Sequence, residues 1–91
     1  MKPRAILTVL GADRTGIVAS IAGALAEAGV NIEDIRQTIL DGVFTMTMLV
    51  TLDESCADFS DVQARLLEAG EAIGVQVTLQ REDVFRYMHR I

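Results

Sequence analysis

Cysteine, histidine and aromatic residues are scarce in this sequence, and each scarcity excludes a class of protein. The single cysteine, Cys56, cannot form an internal disulfide, which excludes a disulfide scaffold and a thiolate zinc site. One histidine, His89, cannot build a histidine metal site or a two-histidine relay. Aromatic residues make up 4% of the chain, too few for a surface on which bases stack. We therefore expect no metal site and no cofactor.

Long apolar runs and an excess of basic residues are also missing. No apolar run approaches the ~18 residues of a membrane span, and the segment after Met1 does not have the layout of a signal peptide. The net charge of −5 argues against an electrostatic nucleic-acid binder. A chain of 91 residues is too short for two independent cores. We expect one soluble, cytoplasmic domain without membrane or nucleic-acid partners.

The first half of the sequence predicts a strand, a loop and a helix. Arg4–Leu10 is short, apolar and β-rich, as central strands are. Gly11–Gly16 is dense in turn and capping residues, and a helical period begins at Ile17. Gly29 is placed to end this helix in the left-handed conformation. The predicted core stripe of the helix consists of Ile17, Ile21, Leu25 and Ala28, widened by Val18 and Ala22.

The middle of the sequence predicts a hairpin. Asn31–Leu40 mixes charged and β-branched residues, which is typical of an edge strand. Asp41–Gly42 favours a type I′ turn, because both residues tolerate positive φ. Val43–Leu52 alternates between an apolar face and a threonine-rich face. We expect the apolar face to pack on helices.

A second helix, a last strand and an amphipathic tail complete the pattern. The helix is predicted to start near Ser60, because Ser60 and Gln63 have capping-box spacing, and to end at Gly74. Val75–Gln80 alternates as a strand does. The order β-α-β-β-α-β predicts an α+β, ferredoxin-like sandwich: a four-stranded antiparallel sheet with two helices on one face. The tail carries a helical stripe of Val84, Tyr87, Met88 and Ile91, with Phe85 off the stripe.

The sequence lacks residues that several catalytic mechanisms require. Gly11 and Gly16 have the glycine spacing of a P-loop, but Ile17 and Val18 stand where lysine and a hydroxyl residue are required. Carboxylates that are neighbours in sequence, such as Glu33 and Asp34, are expected on opposite faces of a strand and make poor acid–base pairs. We therefore expect a protein that is not an enzyme.

The Gly11–Gly16 loop is the segment that could bind a ligand. The start of a helix has unpaired N–H groups and a partial positive charge that stabilise a carboxylate. Asp13 could accept an ammonium group, Arg14 could add positive charge, and Asn31 offers an amide to a small zwitterion. The alternative is purely structural: Asp13 or Thr15 caps the helix, Arg14 is a surface cation, and Asn31 completes a turn.

Two motifs resemble a known family. GADRTGI, followed by LAEAGVNIEDI, closely resembles the signature of ACT domains, which are regulatory modules of βαββαβ fold. QTILDGVFTMTMLV and QREDVFRYMHRI are similar to the small stand-alone ACT proteins, and more distantly to regulators of the glycine-cleavage-system repressor type. The resemblance covers essentially the whole chain. It implies an ACT domain over 1–81, and the helical tail predicted from periodicity follows over 82–91.

The resemblance also implies an effector site, typically for an amino acid, between two ACT domains. The loop of one domain is expected to meet the second-strand region of its partner. The family often has a small residue where this chain has Arg36. The implied ligand-binding residues are Gly11, Asp13, Arg14, Thr15, Gly16, Ile17, Asn31 and Ile32.

The exposed second strand independently favours a homodimer, because pairing through a twofold axis would hide its edge. The threonine-rich face offers a second contact, and the tail could pack on its own domain or complete a dimer. Our leading hypothesis is a regulatory module that senses a small amino acid. The rival hypothesis is a protein-interaction module with a vestigial pocket, whose partner is an enzyme or regulator. An acylphosphatase-like enzyme is disfavoured, because Asn31 is on the wrong strand for it.

Overall fold

A computed structural model describes residues 3–88 and contains four strands and three helices. Among the described residues no helix is both long and apolar enough to cross a bilayer. The elements are β1 (Arg4–Ala12), α1 (Ile17–Glu27), β2 (Asn31–Leu40), β3 (Val43–Thr51), α2 (Phe59–Ile73), β4 (Gln76–Arg81) and α3 (Glu82–Met88).

The four strands form one antiparallel sheet in the order β2-β3-β1-β4. β1 lies in the centre and pairs with both β3 and β4, whereas β2 pairs only with β3 and forms an edge. This arrangement confirms the predicted ferredoxin-like sandwich and the predicted edge strand.

The helices cover one face of the sheet, which we call the covered face. Every second residue of β1, β3 and β4 is buried there, and α1 and α2 contribute to the same core. The opposite side, which we call the open face, carries the alternate residues of each strand. The predicted apolar face of β3 is confirmed, because all its members are buried: Phe44, Met46, Met48, Val50 and Leu52.

Both predicted glycine terminators are confirmed, and α2 begins at Phe59, next to the predicted Ser60, but the predicted capping box is wrong. Gly29 and Gly74 each have φ of 73°. The N-cap of α2 is Asp58, whose carboxylate accepts a 2.9 Å hydrogen bond from the Asp61 amide. Ser60 is therefore inside the helix, and Gln63 donates instead to the Leu79 carbonyl of β4. The Asp58 carboxylate accepts a hydrogen bond from an amide of the first turn, and its negative charge also interacts favourably with the helix dipole.

Two further local predictions need correction. Val18 is 37% exposed and does not widen the core stripe of α1; Ala24 packs against the core there. β1 continues past the predicted end at Leu10 to Ala12, because Gly11 and Ala12 pair with the first residues of β3. Gly11 is thus a strand residue, and the loop proper, the β1–α1 loop, is Asp13–Gly16.

A β-bulge interrupts β2 at Glu33, between the pairs Ile32–Val50 and Asp34–Leu49. The extra residue brings Glu33 and Asp34 to the open face together, so the expectation of opposite faces fails at this carboxylate pair. The bulge also brings Ile32 and Ile35 to the same side of the strand.

The predicted tail helix is observed as α3, which contacts β1 and β4. Glu82 accepts hydrogen bonds from Arg4 of β1 and from Arg86 one turn along α3. Val84 is exposed. The rest of the predicted stripe, and the prediction for Phe85, concern side chains outside the described part of the chain; Ile91 lies beyond it altogether.

Candidate functional site

The β1–α1 loop is held in place from two sides. The Asp13 amide donates a 2.8 Å hydrogen bond to the Gly42 carbonyl in the β2–β3 turn. Just before the loop, Gly11 lies so close to Val75 that a Cβ at this position would be 2.8 Å from Val75 Cγ1. The loop is therefore fixed between the hairpin turn and Val75, which directly precedes β4.

The N-terminus of α1 has no side-chain cap. Gly16 is the N-cap residue with φ of 91°, and no acidic side chain is in the first turn. Space around Gly16 is open, since an added Cβ would meet nothing within 4 Å. The first intrahelical hydrogen bond is from Ser20 N–H to Gly16 O, so the preceding amides of the turn have no intrahelical acceptor. The alternative in which Asp13 or Thr15 caps this helix is therefore wrong.

Arg14 connects the loop to the C-terminus of α2. Its guanidinium Nη1 donates a 2.8 Å hydrogen bond to the Ile73 carbonyl, directly before the left-handed Gly74. A cation at this end of a helix satisfies an orphan carbonyl and opposes the negative end of the dipole. The alternative in which Arg14 is only a solvated surface cation therefore omits its hydrogen bond to Ile73.

Asn31 lies at the other end of the sheet from the loop. It pairs with Thr51, whereas the loop follows Ala12, which pairs with Val43 at the opposite end of β3. Nine residues of β3 separate the two ends by about 27 Å at ~3.4 Å per residue. Within one chain, the two parts of the implied site do not meet.

A small polar network surrounds Asn31. Its side-chain amide donates to Glu33 Oε1 at 3.1 Å, and the Thr51 hydroxyl donates to the same oxygen at 2.8 Å. These two donors hold the pKa of Glu33 below its usual value, since they stabilise the carboxylate; Arg4 adds a smaller attraction. Asn31 is therefore partnered within the chain.

The predicted site residues divide into two groups. Gly11, Asp13, Arg14, Thr15, Gly16 and Ile17 are brought together, whereas Asn31 and Ile32 lie near the opposite end of β2. Ile17 is 2% exposed and its side chain belongs to the core, so only its backbone amide could face a ligand.

The sequence pattern of β2 does not reveal the apolar stripe that this strand carries. Ile32, Ile35 and Ile39 pair with buried residues of β3 and so face the covered side, yet they are 37%, 37% and 56% exposed. If side chains alternated strictly along β2, Ile32 and Ile35 would lie on opposite faces of the strand. The bulge at Glu33 places them on the same face, and we call Ile32, Ile35 and Ile39 the isoleucine stripe. Arg36 pairs with Thr47 on the open face and binds Asp34 at 2.7 Å, so its side chain points away from the stripe.

Two concavities lie away from the loop. A groove of about 260 Å³ runs between α1 and α2, and a second concavity lies where Arg4 meets the start of α3. Among residues 3–88, no group of three or more metal-ligating side chains is placed to hold an ion.

Known proteins resemble this chain over nearly its whole length. The family model of the ACT domain matches residues 4–80. A UPF0237 protein of Methanocaldococcus jannaschii is 52% identical over 88 residues, covering 97% of this chain and 98% of the relative.

Solved structures agree in fold. An ACT domain protein from Streptococcus pneumoniae superposes with a TM-score of 0.81 at 40% identity, covering 93% of this chain and 96% of that one. A candidate glycine cleavage system transcriptional repressor superposes with a TM-score of 0.79 at 26% identity. That match covers 89% of this chain and 46% of the other.

Proposed function

This chain belongs to the ACT domain family, and from that premise we propose that it is a regulatory module, not an enzyme, that binds a small amino acid between two copies of itself. The observation that carries the proposal is the uncapped, open N-terminus of α1 at Gly16. A ligand carboxylate there would accept hydrogen bonds from the first-turn amides and would interact favourably with the helix dipole.

The direction of the strands supports a site built from two chains. β1 and β2 run parallel, because each is antiparallel to β3. If two copies pair β2 antiparallel about a twofold axis, the partner's strand is reversed, and its Asn31 end comes to the end of the sheet that holds the β1–α1 loop. Pairing would also cover the isoleucine stripe and hide the open edge of β2.

Within such a site the residues have distinct roles. The backbone amides after Gly16 would bind the carboxylate, and Asp13, which is exposed, would bind the ammonium group. Arg14 would keep the loop in position through Ile73 rather than touch the ligand. The ligand would act by favouring one geometry of the two-chain assembly, which is how differential binding shifts an equilibrium.

The proposal is tested by titrating the twenty amino acids into the purified protein, with binding measured by calorimetry. We expect at least one to bind, on the order of micromolar to millimolar. Asp13→Ala should weaken that binding, whereas the control Glu54→Ala removes an equal charge from an exposed position in the β3–α2 loop and should not. A folded protein that binds none of the twenty contradicts the proposal.

A second candidate function is a protein-interaction module whose partner is an enzyme or regulator. It is favoured by one observation: the polar side chains of Arg14 and Asn31 are already hydrogen-bonded within the chain. In that case an amino acid changes neither the assembly nor its stability, and a partner binds equally well with and without the twenty amino acids.

A further inference from the structure

The backbone of Ile35 in the edge strand β2 is bound by two side chains of the same strand. The Ile35 amide donates a 2.8 Å hydrogen bond to Asp34 Oδ1, and the Ile35 carbonyl accepts a 3.0 Å hydrogen bond from Arg36 Nη1. The same Arg36 nitrogen donates to Asp34 Oδ1 at 2.7 Å. We call these two linked side chains the Asp34–Arg36 clasp. The clasp occupies both backbone groups of Ile35.

The clasp lies on the free edge of the sheet. In an antiparallel pair, the N–H and C=O of one residue point to the same side of the strand. β3 lies on one side of β2, and none of the described strands lies on the other. Because side chains of β2 itself reach both backbone groups of Ile35, these groups point away from β3. They are the groups that an added strand would bind.

An added strand must therefore displace the clasp. Charged side chains on an edge strand are a common protection against unwanted pairing. A strand that offers no charges in return takes the Ile35 backbone and leaves Asp34 and Arg36 without the backbone contacts that they had. A strand with a cation opposite Asp34 and a carboxylate opposite Arg36 replaces each lost contact by an ion pair. The clasp thus discriminates between strands by their charges.

We propose that Asp34 and Arg36 select the strand that pairs with β2, and that they admit a second copy of this chain with Ile35 on the twofold axis. The inference rests on the two-chain site of the proposed function and adds its register and its selectivity. With Ile35 on the axis, Asp34 of each copy lies opposite Arg36 of the other. Directly opposite Cβ atoms are ~4.5–5.5 Å apart, which is within reach of an ion pair.

The neighbouring registers do not bring opposite charges together. With Arg36 on the axis, the guanidinium groups of the two copies face each other, and like charges directly opposite are destabilising. With Gln37 on the axis, Arg36 lies opposite Thr38, and no cation lies opposite Asp34. The register centred on Ile35 also brings the two Ile35 side chains together on the covered face, in the middle of the isoleucine stripe.

The test first reverses the two charges one at a time. Asp34→Arg and Arg36→Asp each place like charges opposite each other on both sides of the axis. We expect the dissociation constant of the assembly to rise by about 10-fold or more in each variant. Sedimentation velocity over a range of concentrations measures it. The control Glu71→Arg makes the same change of charge at an exposed position of α2 and should retain the wild-type value.

Mixing then shows whether the charges act across the axis. In an equimolar mixture of the two single variants, each introduced charge lies opposite a charge of the other sign, so mixed assemblies should form as readily as wild-type ones. The double variant Asp34→Arg/Arg36→Asp should assemble with itself but not with the wild type. Native mass spectrometry identifies the composition of each assembly. Recovery in the mixture also shows that the single variants are folded.

Two results overturn this inference and leave the proposed function standing. One is a pair of single variants that assemble like the wild type, and the other is a mixture of weakened variants that does not recover. The titration with amino acids then still tests the proposed function separately. A wild-type protein that is monomeric at every concentration, with and without the twenty amino acids, overturns the inference and the two-chain site together.

Discussion

At the scale of single residues, close approaches of the backbone decide where glycine is required. Gly70 faces β4 from the last turn of α2, and a Cβ there would be 2.5 Å from Val77 Cγ2 and 3.1 Å from the Val75 carbonyl oxygen. The missing side chain lets the helix lie against the strand. Gly23 in α1 is different, since a Cβ there would meet nothing within 4 Å.

This contrast predicts that alanine substitutions at the two glycines change the free energy of unfolding in opposite directions. Gly70→Ala should lower the free energy of unfolding by about 1–3 kcal/mol, because the helix must move off β4. Gly23→Ala should raise it by roughly 0.5–1 kcal/mol, because alanine loses less backbone entropy in a helix. Urea unfolding of both variants measures the two effects. Destabilisation by both substitutions to the same extent would contradict this explanation.

At the scale of secondary-structure elements, the ends of the helices fix how they join the sheet. α1 begins without a side-chain cap, whereas α2 begins with Asp58 bound to the Asp61 amide. The difference leaves one helix end available to an external anion and closes the other.

The N-cap of α2 can be tested against the residue that the capping-box motif selects. Asp58→Ala should cost about 1 kcal/mol of unfolding free energy, since it leaves the Asp61 amide without its acceptor. Ser60→Ala, two residues along the helix, should change stability by less than roughly 0.5 kcal/mol. Chemical denaturation compares the two variants. An equal or larger effect at Ser60 would mean that Ser60 caps the helix, as the capping-box motif predicts, and that Asp58 does not.

The carboxylate of Glu82 joins α3 to β1. Glu82 accepts hydrogen bonds from Arg4 and Arg86, and these cations hold its pKa below the ordinary value of 4.5. A lowered folded-state pKa gives stability that is fully present above the unfolded pKa and is lost as the pH falls through the folded value.

Glu82→Gln should therefore be less stable than the wild type near pH 7, and the gap should close as the pH falls below 4.5. Urea unfolding at a series of pH values measures it. The control Glu54→Gln, exposed in the β3–α2 loop, should show a smaller gap near pH 7. A Glu82→Gln gap that persists unchanged in acid would mean that the carboxylate charge does not hold α3.

At the scale of the whole molecule, the helices do not hide all of the apolar surface. The isoleucine stripe extends beyond the core on the covered side of β2 and remains partly exposed.

The stripe predicts an assembly through β2. Ile35→Lys should lower the mass of the wild-type assembly, because two copies of the strand would bring like charges together. The control Leu67→Lys changes an apolar residue of α2 that is 46% exposed, compared with 37% for Ile35, and should leave the mass unchanged. Sedimentation velocity measures both. A fall in mass only in the Leu67 variant would place the contact on the helices.

The sequence by itself determined the order of the elements, the core-facing side of β3, the hairpin turn and the glycines that end both helices. These follow from periodicity and from φ preferences, which are local properties of the chain. The tertiary structure alone decided that Arg14 binds Ile73, that Asp58 rather than Ser60 caps α2, and that Asn31 lies at the far end of the sheet from the β1–α1 loop. It also revealed the isoleucine stripe. The face of each strand residue is predicted from strict alternation of side chains, and the single bulged residue Glu33 reverses that alternation in β2.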